Sequence, residues 1–454
     1  MTDEVQSAID ARQYRESVER ANLLLASAPR PARARLHLLR LLAVDRGALG
    51  DIETREKEAL AAVTSPSDAI DLRLTLGRIA LRRSDFASAL RFGVNMKALL
   101  APGDKTRRAR ALRLEAMAKW SQGALPESIT LHGTAAKLCA EANDALGEAL
   151  ALNDRGLVRG YVGDYINAIA DHEAAQRRIN DAPASVERDE ADAQVSNDYG
   201  FALWNLARHD EALRLLEHSL ERRRALADAH GQGITQNNIG NVHRSCGRST
   251  DAIAHYEAAI ELCKRSVNPL YEAIALNNLG QMSMDIGELA LAESRLQDAL
   301  SITQRLGDKI RQADNYGNLG AVYLRLNAAP RALEVLTLAV EMRRQLRDRA
   351  YLVIDQSALA LALARLGKRA DAEDTISEVE TALAGGQEGI EQPQAVYLNL
   401  HLSHQTLGAA QPAKLALAKA REIMATLAAK FATETERQAF LTNVAVNREI
   451  AALG

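Results

Sequence analysis

The sequence predicts an all-α solenoid of stacked helix pairs, on three observations. The first is a recurring tetrapeptide: Asn237-Asn238-Ile239-Gly240, then Asn277-Asn278-Leu279-Gly280, then Gly317-Asn318-Leu319-Gly320, so that glycine returns at even intervals. A fixed period of this size is the mark of repeated supersecondary units. The second is composition: 47% hydrophobic but only 4% aromatic, and ten prolines in 454 residues. Such a chain packs helices through small side chains. The third is a small residue at a constant offset from each glycine. Length alone suggests about three domains of ~150 residues, whereas a repeat array extends one core with each added unit.

Taking each glycine as an anchor, the same slot falls at Gly77, Ala116, Gly156, Gly200, Gly240, Gly280, Gly320, Ala360 and His401. Seven residues on come Ser84, Gly123, Gly163, Ala207, Gly247, Gly287, Asn327, Gly367 and Gly408. Glycine and asparagine accept the left-handed conformation that closes a helix, so this slot ends helix A of each repeat. Twelve residues after the anchor the chain reads Ala89, Ser128, Ala168, Ala212, Ala252, Ala292, Ala332, Ala372 and Ala413. Large residues follow at +16 (Leu216, Tyr256, Leu296, Leu336, Ile376, Leu417), and small ones at +19 (Ala135, Ala175, Ser219, Ala259, Ala299, Ala339, Ala420). Offsets of +12, +16 and +19 lie on one face of a helix B.

The connectors carry boundary chemistry. Asn268-Pro269 offers an N-cap and a proline for the first helical position, and Gly307-Asp308 a C-cap glycine followed by an N-cap carboxylate. Asp181-Ala182-Pro183 marks an insertion that lengthens one spacing to 44. At the ends, residues 5–27, with Gln13-Tyr14 and Ser17-Val18, and residues 33–62 are expected to form degenerate hairpins. Gly385-Gly386-Gln387-Glu388-Gly389 is a flexible connector, and Thr433-Glu-Thr-Glu436 opens a last helix running to Ile450 with a capping-box pattern.

The Gly/Ala anchor with Ala at +12, a bulky residue at +16 and Ala at +19 resembles the tetratricopeptide repeat over residues 70–425, with a period of 40 in place of the usual ~34. The length is similar to the long-helix subclass of spindle-orientation adaptors and bacterial regulators. The resemblance implies a right-handed superhelix of about ten to eleven hairpins. Degenerate hairpins over 1–69 would precede it, and a capping helix over 426–454 would follow. The string from Arg437 to Arg448 also looks like an ending of bacterial signalling proteins that carry these repeats.

Charge excludes little and favours little. The net charge of −3 provides no global attraction for nucleic acid or an anionic membrane. The basic run Lys105, Arg107, Arg108, Arg110, Arg113 suits a solvated helix start. Three cysteines (Cys139, Cys246, Cys263) cannot all pair, and they suit a reducing, cytoplasmic setting. No phosphate-binding, zinc-protease or serine-hydrolase motif occurs, so no catalytic activity and no cofactor are expected. His401 with His404, and His243, Cys246, His255 and Cys263 within one hairpin, have ligand-like spacing. Helix packing accounts for them more simply. Trp120 and Trp204, both at +4, suit either packing or an aromatic groove surface.

The asparagines ask for a reason. Relative to the anchor, positions −3, −2 and +1 hold Asn153, Asp154 and Leu157; Asn197, Asp198 and Phe201; Asn237, Asn238 and Asn241; Asn277, Asn278 and Gln281; Gly317, Asn318 and Ala321. Asparagine costs a few tenths of a kcal/mol in a helix interior, so something must offset each one. The resemblance implies that these slots line a concave groove. There a row of amides would meet the backbone of a bound peptide, tuned by side chains at the +4 and +5 slots such as Trp204, Asn205, Arg244, Met284, Asp285, Arg325 and Arg365. The alternative is that they brace helix A to its neighbour. The expectation is an adaptor binding a peptide or helical segment of another protein, with no role in nucleic-acid or membrane binding. A regulator sensing a small peptide or metabolite is the other candidate.

Overall fold

A computed structural model describes residues 2–10, 14–28, 32–33, 36–40, 52–63, 65–82, 85–266, 268–386, 390, 392–431 and 433–453. Among the described residues the regular structure is entirely α-helical. The anchors all lie in the first helix of a pair, as at Ala145–Tyr161, Ala229–Ser245, Pro269–Asp285 and Lys309–Arg325. Each of these is followed after three residues by helix B, as at Tyr165–Asp181, Ser249–Arg265, Leu289–Leu306 and Ala329–Leu346.

Each helix A from Lys105–Ser121 onward ends at a left-handed corner, with φ of +70° at Gly247, +91° at Gly287 and +70° at Gly367; Ala207 and Asn327 take the same conformation at +59° and +55°. Ser84 lies outside the described residues. Entry into the next helix is secured by aspartate N-caps: Asp104, Asp144, Asp308 and Asp348 each accept from the backbone N–H three residues on. Pro269 is the first residue of its helix, and Gly307 closes the preceding pair at φ +70°.

The small and large slots interlock as the spacing requires. The small side chains of the +12 slot are buried in every repeat. The anchor glycine receives the +16 side chain of its own repeat: a Cβ on Gly240 would sit 2.6 Å from Tyr256, on Gly280 2.8 Å from Leu296, and on Gly320 2.4 Å from Leu336. Glycine is therefore needed at these anchors because the bulky residue occupies the place of its side chain.

The helices form two compact units, residues 1–206 with 214–232 and 264–268, and residues 207–213 with 233–263 and 269–454. In the first, the A helices Pro66–Arg82, Lys105–Ser121 and Ala145–Tyr161 each pack on their B partners and on the next A helix, the last of them on Val186–Asn205. In the second, Pro269–Asp285, Lys309–Arg325, Arg349–Arg365 and Pro393–Thr406 do the same. The insertion before Val186 is largely absorbed as helix: Val186–Asn205 has 20 residues where Ala145–Tyr161 has 17.

The ends differ in detail from the sequence expectation. Tyr14–Ser27 and Ile52–Ala61 are helical, while Gln13 and residues 41–51 lie outside the described residues, as do 387–389 of the glycine-rich connector. The last segment is two helices instead of one, Glu434–Asn443 and Ala445–Ala452, broken where Val444 turns extended at ψ 120°. The Thr433–Glu436 capping box is present. Val446 and Ile450 cover Leu398, Leu417 and Ala420 of the last hairpin.

Candidate functional site

The −3 and −2 slots meet each other across neighbouring A helices. In the second unit, Asn278 donates to Asn237 at 2.9 Å and to Asn241 at 3.1 Å, Asn318 donates to Asn277 at 2.9 Å, and Asn399 donates to Ser357 Oγ at 3.0 Å. In the first, Arg113 donates to Asp154 at 2.7 Å and Asn153 to Asp198 at 2.7 Å. Apart from the Asn278–Asn241 bond, which reaches the +1 slot, each of these rungs joins −3 of one repeat to −2 of the next. The chemistry of the pair changes while its position does not. One hydrogen bond contributes about 1 kcal/mol net, enough to offset the few tenths lost by placing asparagine in a helix.

Burial grades these residues. Asn153, Asp154, Asn197, Asp198 and Asn237 are buried; Trp204, Asn238, Asn241, Arg244, Asn277, Asn278, Gln281, Asn318 and Arg325 are half-buried. Around the first unit's rungs lies a dense polar network. His172 Nδ1 is 2.9 Å from Asn153 Oδ1, His132 lies 3.7 Å from Asp154, and Asp171 accepts from both Arg155 and Arg159. His132 and His172 hold the +16 slot where most other repeats place Leu, Tyr or Ile. Burial depresses each imidazole to about 4, against the pull of the Asp154 carboxylate. Burial also raises the Asp198 carboxyl, partly countered by the amides of Asn153 and Asn197.

One step of the second unit is built differently. Gly317 stands at −3, and a Cβ there would lie 2.3 Å from Asp355 Oδ1. Asp355 occupies that space because Arg343, 1% exposed, gathers Asp314 at 2.5 Å, Asp348 at 2.9 Å and Asp355 at 3.2 Å. Burial lifts the Asp355 carboxyl to about 7 against the attraction of Arg343, whereas at Asp314 burial is outweighed by the guanidiniums of Arg343 and Arg311, which hold it low.

Side chains of the +4 and +5 slots form a second row at the corners. Arg244 pairs with Asp285 at 2.8 Å, Arg325 donates to the Met284 carbonyl at 3.3 Å, and Arg365 donates to the Leu324 carbonyl at 2.5 Å. These carbonyls belong to helix C-termini, where the last four C=O groups have no intrahelical donor. Aromatics occupy the row in the first unit: Trp120 meets Tyr161 edge-on at 4.8 Å, Trp204 leans on Phe201 at 5.4 Å, and Tyr165 donates to Asn205 at 3.2 Å.

The histidine and cysteine pairs serve packing. Rings of His243 and His255 stack at 5.1 Å, His401 Nδ1 lies 2.9 Å from the Ala413 carbonyl, and no group of three potential metal ligands occurs among the described residues. Burial pushes the thiols of Cys139 and Cys246 up to about 11 and that of Cys263 to about 12, so all three are protonated at neutral pH. No helix among the described residues is long and apolar enough to cross a membrane.

The tetratricopeptide repeat family model matches residues 190–265 and 271–345. No curated protein matches the chain. Among solved structures, a Rap protein complexed with competence and sporulation factor aligns at TM-score 0.60 and 13% identity, over 81% of this chain and 100% of that one. The Rap conjugation gene regulator of plasmid pLS20, in complex with the Phr* peptide, aligns at 0.53 and 15%, over 82% and 100%. The apo quorum sensor NprR from B. thuringiensis aligns at 0.50 and 14%, over 75% and 97%. At these identities the likeness concerns the fold. With its repeated glycine anchors, buried small side chains at the +12 slot and left-handed corners, the chain carries tetratricopeptide repeats over residues 190–265 and 271–345.

Proposed function

We propose that the chain is a non-catalytic adaptor that binds a peptide or protein segment along the polar face of its A helices. The observation that carries this is the half-buried register Asn238, Asn277, Asn278, Gln281 and Asn318, in which amides recur at one height in successive repeats. A rung uses only part of an amide, which has two donors and two acceptor lone pairs. The rest of that capacity suits a ligand backbone whose N–H and C=O groups need partners. The buried members Asn153, Asp154, Asn197, Asp198 and Asn237 act in this proposal as braces behind the binding row.

Since the asparagines also brace, their removal lowers stability, and the test needs a matched control. We compare Asn238→Ala/Asn278→Ala/Asn318→Ala with Gly320→Ala, which loosens the same region through packing alone. Partner contacts mapped by affinity capture and cross-linking mass spectrometry are expected on helices Ala229–Ser245 to Lys309–Arg325, lost in the triple variant and kept in the control. Equal capture by both variants refutes the groove assignment.

A second proposal, a regulator switched by a small peptide, draws support from the similar folds of the Rap proteins complexed with competence and sporulation factor or with Phr* peptide. Small-angle scattering with and without a small-molecule filtrate of cell extract separates the two. A change in dimensions favours the regulator and constant dimensions the adaptor.

A further inference from the structure

The C-terminal segment does more than close the last hairpin. Asn443 Nδ2 donates to the Gly247 carbonyl at 3.2 Å, Arg448 donates to the Asp285 carbonyl at 2.9 Å, and Glu449 pairs with Arg325 at 2.6 Å. The first two partners lie 196 and 163 residues away in sequence. All three sit at the corners of successive repeats. Phe431 stacks on His209, at the start of a fourth helix B, at 5.2 Å. The corners suit such a visitor. Helix C-termini present carbonyls without intrahelical donors and the negative end of the helix dipole, which favour an amide donor and a guanidinium, while Arg325 offers the charge that fits Glu449.

Gly247 shows that the fit is specific. A Cβ there would meet the Ala439 carbonyl at 2.6 Å, whereas a Cβ at the corner glycines Gly123, Gly163, Gly287, Gly367 and Gly408 would meet nothing within 4 Å. The polar contacts are nonetheless made by partly exposed groups, with Arg325 28% and Glu449 45% exposed, so they are the kind that solvent competes for.

We propose that the corner row of Gly247, Asp285 and Arg325 is a helix-docking surface, occupied here in cis by residues 434–452. A partner's amphipathic helix displaces that segment when it carries an amide or guanidinium donor followed by a carboxylate at the same spacing. This surface is distinct from the amide row of the A helices, and its test does not depend on that row.

The probe is a fluorescent synthetic peptide of residues 431–453, added in trans to the full chain. In wild type the tethered copy competes at an effective concentration on the order of millimolar, so micromolar peptide stays unbound. In Asn443→Ala/Arg448→Ala/Glu449→Ala, which alters only the visiting segment, the peptide is expected to bind at least tenfold tighter than to wild type. Amide exchange in 434–452 is expected to quicken in parallel. Adding Gly247→Ala abolishes that binding, while adding Gly367→Ala, which strains the backbone alike at a corner outside the docking row, preserves it. Adding Arg325→Glu weakens it, and a peptide with Glu449→Arg recovers it. Equal binding to wild type and the triple variant overturns the proposal. So does a triple variant whose segment stays protected, or whose released segment leaves a surface that the peptide ignores. Because the amide row is unaltered throughout, none of these results bears on the groove.

Discussion

Replacing Gly320 by alanine tests the interlock on which the fold rests. Two effects oppose. Alanine in place of a mid-helix glycine gains about 1 kcal/mol of helix stability. The new methyl, however, would stand 2.4 Å from both Cγ and Cδ2 of Leu336, far inside van der Waals contact. Leu336 is fully buried and its branch point is one of the offending atoms, so rotation about χ2 alone does not clear the space. Overpacking of this kind costs about 1–3 kcal/mol, here toward the upper end, leaving a net loss of about 1–2 kcal/mol. Leu336→Ala alone opens a cavity and costs about 2–5 kcal/mol. In that background the methyl has room, and Gly320→Ala is expected to stabilise by about 1 kcal/mol. The sign of one substitution thus reverses with the residue at the +16 slot. Repeat arrays do not unfold in a single step, so the assay is native-state amide exchange in Lys309–Arg325 and Ala329–Leu346. If Gly320→Ala stabilises in both backgrounds, the anchor glycine is not there for Leu336 and the packing argument fails.

Acid provides a second test. His132 and His172 fall from an ordinary 6.5 to about 4 on burial, so the unfolded chain takes up protons that the folded chain refuses. Their contribution is whole above pH 6.5 and drains away as pH falls toward 4, by at most about 3 kcal/mol each. His132→Leu, the residue other repeats use at that slot, is expected to flatten the thermal-melt profile over this window, and an unchanged slope excludes the histidine. Arg343→Met leaves Asp348 and Asp355 without their cation and Asp314 with Arg311 alone; breaking such a buried set costs about 3–5 kcal/mol, read as faster exchange in Arg349–Arg365. Wild-type exchange there would mean the cluster is idle. Asn278→Ala strips the donor from Asn237 and Asn241 and is expected to cost about 1–3 kcal/mol, exceeding Gln281→Ala, whose side chain serves no rung. Equal losses would remove the rungs from the account of stability.

Much of the architecture was legible because close helix packing leaves one-residue signatures. Only a small side chain fits at +12, only glycine fits beneath Leu336 or Tyr256, and a corner at positive φ favours Gly or Asn; each constraint repeats with the helix pair. The rungs were harder to read. A rung is defined by position, and its chemistry drifts from Arg113–Asp154 to Asn153–Asp198, Asn277–Asn318 and Ser357–Asn399. The asparagines could therefore be seen to need partners without revealing that −3 and −2 supply them to each other. Gly317 stands at −3 where the two preceding repeats carry asparagine. Its cause is Asp355 of the following repeat, held by Arg343. Nothing in the period announces the return of Asn443 to Gly247, since a contact made once leaves no rhythm, and the break at Val444 lies within a stretch that reads as one amphipathic helix.

The rungs also decide how this array can be lengthened. An asparagine amide turns either end toward its neighbour, so a repeat carrying Asn at both −3 and −2, like that of Asn277 and Asn278, satisfies a second copy of itself placed in tandem. Arg113 has no such freedom, because it has donors only and demands the carboxylate of Asp154. Gly317 likewise calls for a successor that brings Asp355, which Arg343 in Gly317's own repeat holds. The repeats of Asn237 and Asn277 are interchangeable parts, whereas those at Arg113 and Gly317 are keyed to a single neighbour. Duplication or grafting succeeds in the first stretch and is stopped at the second two sites by an unpaired charge.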